Sequence, residues 1–180
     1  MNSIRSTTYL PARPSTGFWI GAGFVAGALS VLIFHQGAVA LLNDLELTQR
    51  MPYSMAPTEP FGVPQVLSIT FWGGIWGALF AAAFRRLDGA RLVAASLVAG
   101  AVLPTLVAWF FVAPLKGQPM AAGFVPMAMA FGVIVNGAWG LGTGLGLALF
   151  KREHRAGDRR RAVERRQPGR DRRRAAAVMA

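Results

Sequence analysis

His35 and Gln36 stand inside "VLIFHQGAVALL", residues 31–42, a run that is otherwise apolar. An imidazole in such a setting can carry a proton or ligate a metal. Downstream, Met51 and Met55 offer thioethers, and thioether with imidazole is a soft ligand set that suits copper(I). Trp72 and Asn136 add an indole and an amide in other apolar runs. The same residues also have an ordinary reading: a hydrogen-bonded structural histidine reaching the loop that follows it, with methionine as apolar filler. Both readings stay open at this point.

The set is too small for an enzyme. Catalysis needs nucleophiles, acid/base pairs or a metal centre, and the apolar runs together hold one histidine and no carboxylate. The chain has no cysteine, which excludes disulfides, thiol nucleophiles and thiolate metal sites. Bis-histidine haem would need a second histidine at a matching depth, and His154 lies beyond the last apolar run. No cofactor is expected.

The elements that must position these residues follow from segment length. A helix needs roughly 20 mostly apolar residues to cross a ~30 Å hydrocarbon core. Four stretches qualify, about 18–42, 65–84, 92–115 and 122–150, and none has Asp, Glu, Lys or Arg in its interior. The spacing predicts an all-α integral membrane protein, a four-transmembrane-helix bundle. "GAVA" at 37–40 has the look of a processing site, but the apolar run before it exceeds the roughly 7–15 residues of a signal core. The first helix is therefore read as retained.

Lys and Arg accumulate at cytoplasmic helix ends. Arg5 and Arg13 precede the first helix, Arg85, Arg86 and Arg91 join the second to the third, and Lys151, Arg152 and Arg155 follow the fourth. The other two connections hold only Arg50 and Lys116, so both termini are expected inside. That divides the chain into a cytoplasmic N-terminal segment, 1–17, a transmembrane domain, 18–150, and a basic disordered cytoplasmic tail, 151–180. The outer loop, 43–64, contains Asp44, Glu46 and Glu59, and Pro52, Pro57, Pro60 and Pro64 favour an extended, stiff course.

The two halves resemble each other. "VAGA" recurs at 25 and 98, "GVP" at 62–64 answers "FVP" at 124–126, and "GIWG" at 74–77 answers "GAWG" at 137–140. Two hairpins that each enter and leave on the cytoplasmic side are parallel repeats about an axis normal to the membrane. In this register Ala108 corresponds to His35. Small residues every fourth position supply close packing between helices in lipid. The fourth helix has Gly132, Asn136, Gly140 and Gly144, the second Gly73 and Gly77, and the first Gly23 and Gly27, a row that continues through Val31 to His35. Asn136 is expected to hydrogen-bond across helices. Pro104, next to Thr105, is expected to bend the third helix and free a backbone carbonyl. Trp19, Trp109, Phe110 and Phe111 fall near helix ends and read as interfacial aromatics.

Residues 151–180 hold 12 of the 19 Lys and Arg, against four of the eight acids. The stretch has no Leu, Ile, Phe or Trp to insert into lipid, and Pro168 and Gly169 break any helix begun near Asp158. Anionic lipid or an acidic protein is its expected partner; without interleaved aromatics, nucleic acid is disfavoured.

The run "PYSMAPTEPFGVPQVLSITFWGGIWG", residues 52–77, together with "FHQ" at 34–36, resembles small four-helix bacterial inner-membrane proteins of uncharacterised function. The resemblance covers the first two helices and their loop and implies a bacterial cytoplasmic-membrane protein, with no activity to carry to any residue. The expected function is a non-catalytic membrane component: an accessory or assembly subunit or a scaffold, contacting a membrane-protein partner or its own copies. The alternative is an oligomeric transporter of a small solute, protons or a metal ion, copper included, that uses His35.

Overall fold

The computed structural model describes residues 15–166. They are helical apart from the connections, and four helices are long and apolar enough to cross a membrane. Helix α1 spans Thr16–Asp44, with a π-helical turn at Val31–His35. A two-residue antiparallel pairing follows, β1 (Pro57–Thr58) with β2 (Val63–Pro64). Helix α2 is Gln65–Ala83, α3 is Gly89–Leu115 with a π turn at Ala108–Val112, and α4 is Pro126–Arg166.

Two compact units divide the chain. One comprises 15–149. The described part of the other, 150–166, is helical, and His154 Nε2 lies 3.5 Å from Asp158 Oδ2 one turn further on. The expectation of a disordered tail from 151 therefore does not hold as far as Arg166. Arg, Lys, Glu and Ala are strong helix formers, and an i,i+4 pair adds to them. Pro168, Gly169 and the rest of 167–180 lie outside the described residues, as do Arg5 and Arg13.

Backbone proximity organises the larger unit. At Gly27 an added Cβ would run into the Gly73 carbonyl oxygen and sit 2.9 Å from the Gly77 Cα. At Gly77 it would run into the Gly23 carbonyl and sit 2.8 Å from the Gly27 Cα. Helices α1 and α2 thus cross with only hydrogen between their backbones, the packing mode that small residues permit. Helices α3 and α4 do the same. A Cβ on Gly100 would lie 2.6 Å from the Gly140 Cα and 3.0 Å from the Asn136 carbonyl oxygen, and one on Gly140 would run into the Ser96 carbonyl. Gly144 is closed by Ser96, as Gly23 is by Ala81. Every participant in the second crossing stands 73 residues after its counterpart on α1 or 63 after its counterpart on α2.

The hairpins are joined through Trp139, which is 3% exposed. Its Nε1–H donates to the Gly27 carbonyl at 2.9 Å, and its own carbonyl accepts from Ser30 Oγ at 2.6 Å and Thr143 Oγ1 at 2.9 Å. Its ring lies 5.3 Å from that of Phe80, and Val31 completes the cluster. Gly142 and Gly146 admit α1 at Ser30, Phe34 and Ala26.

Three expectations are corrected. Helix α4 starts at Pro126, not near 122, because Ala121, Ala122, Gly123 and Phe124 all have positive φ, between 48° and 67°. A right-handed helix cannot contain them, and Pro126 suits a first turn, where its missing N–H is unneeded. Trp19 is not interfacial: it is 5% exposed, and its Nε1–H donates to the Ala81 carbonyl. The Pro-rich loop is not merely extended, since β1 and β2 pair and Thr58 Oγ1 donates to the Val63 carbonyl at 2.8 Å.

Candidate polar site at the loop end

The π turn in α1 decides where the polar residues of "FHQ" point. A regular helix brings i and i+4 to one face, so Gly23, Gly27 and Val31 should lead to His35. In the π turn, the Gln36 N–H reaches back five residues to the Val31 carbonyl. The extra residue advances the register, and the interior row passes from Val31, 2% exposed, to Gln36, 3% exposed. His35 is displaced to the edge of that row and is only half-buried.

The same shift releases the Leu32 carbonyl, which the Gln36 N–H would otherwise take. Tyr53 fills the vacancy from the loop: its hydroxyl donates to the Leu32 carbonyl at 2.8 Å, and its backbone N–H donates to Gln36 Oε1 at 2.7 Å. The following residues cap α2, with the Gln65 and Val66 N–H groups donating to the Ala56 and Ser54 carbonyls at 2.9 and 3.0 Å. At the near end of the loop, Asn43 Nδ2 donates to the Thr48 carbonyl, and the Arg50 guanidinium lies 5.3 Å from the centroid of the Phe131 ring on α4. The loop is thereby fastened to α1, α2 and α4.

His35 takes no part in that fastening. Its Nδ1 is buried and has no hydrogen-bond partner among the described residues. The sequence expectation that the histidine reaches the loop is fulfilled by its neighbour instead. Met51 and Met55, the proposed thioether partners, flank Tyr53 with 67% and 65% of their surface exposed.

Asn136 belongs to a separate polar pair. Its Nδ2 donates to Thr105 Oγ1 at 2.8 Å, and Thr105, 2% exposed, donates onward to the Gly132 carbonyl at 3.3 Å. The chain of bonds ties α3 to α4 one turn from the Gly100–Gly140 crossing, and Gly132 also faces Trp109. Trp72 joins neither group. It is 58% exposed and makes an edge-on contact with Phe71 at 5.8 Å. Thr105→Val keeps the shape but leaves the Asn136 amide without its acceptor. It is expected to cost about 1–3 kcal/mol of unfolding free energy in detergent, while Trp72→Phe changes nothing measurable.

Sequence reasoning passed over Tyr53 and Ser30. Tyr53 carried a signal, being the one phenol in a loop of prolines and methionines. Ser30 carried none, because its partner is a backbone carbonyl 109 positions away. Compared with family models, curated proteins and solved structures, the chain matches none.

Proposed function

We propose that the protein is a non-catalytic integral component of the bacterial cytoplasmic membrane, an accessory or assembly subunit or scaffold that presents the 43–64 loop to a membrane-protein partner. The observation that carries this reading is the fastening of that loop at Tyr53, Ser54, Ala56 and Arg50, which holds a shaped surface in place. In this reading the four long helices cross the bilayer with both termini cytoplasmic, and 43–64 faces outward. The matched Gly27–Gly77 and Gly100–Gly140 crossings, at constant sequence offsets, support two parallel-repeat hairpins about a pseudo-twofold axis. The basic stretch from 151 is suited to anionic lipid or an acidic protein, with self-association through a spare helix face as a further mode of assembly.

The polar side chains between helices support a packing role, since Trp139, Ser30, Thr105 and Asn136 all bond to neighbouring helices. One observation favours a second reading: the buried Nδ1 of His35 has no partner among the described residues, which suits a proton carrier or a metal ligand in an oligomeric transporter. Two measurements separate the readings. A stoichiometric partner that co-purifies with the native protein and is lost when 43–64 is replaced by a Gly/Ser linker supports the scaffold. A proton or copper(I) flux in proteoliposomes that vanishes in His35→Ala overturns it.

A further inference from the structure

The two most exposed phenylalanines among the described residues lie in the turns that lead into α2 and α4. Phe61, 86% exposed, lies four residues before Gln65 opens α2, and Phe124, 69% exposed, lies two before Pro126 opens α4. In the register that matches "GVP" to "FVP", Phe124 aligns with Gly62, one residue after Phe61. Each is held outward by its backbone. Phe61 rides on the β1–β2 turn, closed by the Gly62 N–H donating to the Thr58 carbonyl at 2.8 Å. Phe124, with φ of 57°, ends the run of left-handed residues from Ala121. Exposed apolar residues follow each ring in sequence: Val63, Leu67 and Phe71 after Phe61, and Val125 and Met127 after Phe124.

We propose that Phe61 and Phe124 are interfacial anchors that insert between lipids at the loop end of the protein, one before α2 and one before α4. The occupant is lipid because each ring stands in the turn into a helix long and apolar enough to cross a membrane, whose exposed apolar side chains the bilayer covers in the membrane-spanning reading, on which this inference rests. A ring without a polar atom is stabilised below the headgroups, where aromatic belts form. A protein partner would have to meet both turns at once; lipid meets both already.

The absence of cysteine allows single-cysteine variants to carry an environment-sensitive nitrobenzoxadiazole probe in phosphatidylcholine nanodiscs. The variants are Phe61→Cys, Phe124→Cys, Glu59→Cys on the same turn as Phe61, and Val98→Cys, whose position on α3 is 62% exposed. The expected result is blue-shifted emission at 61 and 124, with quenching by lipids brominated near the headgroup about twofold stronger than by lipids brominated near the chain end. The probe at 98 shows the reverse depth order, and the one at 59 is quenched by aqueous iodide. Emission at 61 and 124 that matches 59 overturns the proposal, including where a protein partner is the true occupant. A probe at 98 that no lipid quenches overturns the membrane-spanning reading instead.

Discussion

Gly77→Ala and Gly140→Ala are each expected to destabilise the helix bundle by about 2–3 kcal/mol, read as a lowered unfolding midpoint in detergent titrations. At both positions the new methyl meets a carbonyl oxygen, of Gly23 and of Ser96, and backbone cannot rotate away as a flexible side chain can. The helices must separate, and separation forfeits the contacts around the crossing. Gly37→Ala is the internal control. Nothing lies within 4 Å of a Cβ there, and alanine has the higher helix propensity, so the variant should be neutral or slightly more stable. If Gly77→Ala matched Gly37→Ala, the crossing would have to be looser than described.

Trp139→Ala is expected to cost about 3–5 kcal/mol in the same assay, the range for deleting a large buried aromatic. The ring fills the centre of the cluster with Phe80 and Val31, and its N–H adds a cross-helix bond to the Gly27 carbonyl at the point where α1 meets α2. Trp139→Phe separates the two contributions by keeping most of the ring and removing only the indole hydrogen bond; the Gly27 carbonyl keeps the Val31 N–H, so the cost is about 0.5–1.5 kcal/mol. Trp76 provides the comparison. It occupies the corresponding place in "GIWG" and contacts Phe80 at 6.2 Å, but it is only half-buried and makes no cross-helix hydrogen bond among the described residues. Trp76→Ala should therefore cost clearly less than Trp139→Ala; equal losses would mean that burial and the hydrogen bond are not what distinguish the two tryptophans.

The four helices were legible because length and apolarity are local properties. The glycine rows were legible for the same reason: a fourfold period of small residues survives in any regular helix, and Gly23, Gly27, Gly73, Gly77, Gly140 and Gly144 all lie at crossings. His35 was misplaced because the projection assumed an unbroken α-helix, and nothing in "VLIFH" announces a π turn. Trp19 was misread because an indole near a helix end has two uses, interface or interior, and the choice depends on whether a carbonyl such as that of Ala81 is within reach. The start of α4 was misjudged because "MAAGF" has helical composition, and only the backbone conformation shows that it turns the other way.

The π turns at 31–35 and 108–112 also set a phase. Each adds roughly one residue's rotation, about 100°, to the helix beyond it without disturbing the part before it. On the near side of these turns lie the glycine crossings, of α1 with α2 and of α3 with α4. On the far side each helix is out of phase with its own near half, as a gear is when it slips a tooth, and there α1 meets Tyr53 while α3 ends at Leu115 with no such loop to meet. A single-residue deletion within 31–35 would return the far half of α1 to its original phase. Gln36 would rotate away from Tyr53, and the glycine crossing below would not register the change.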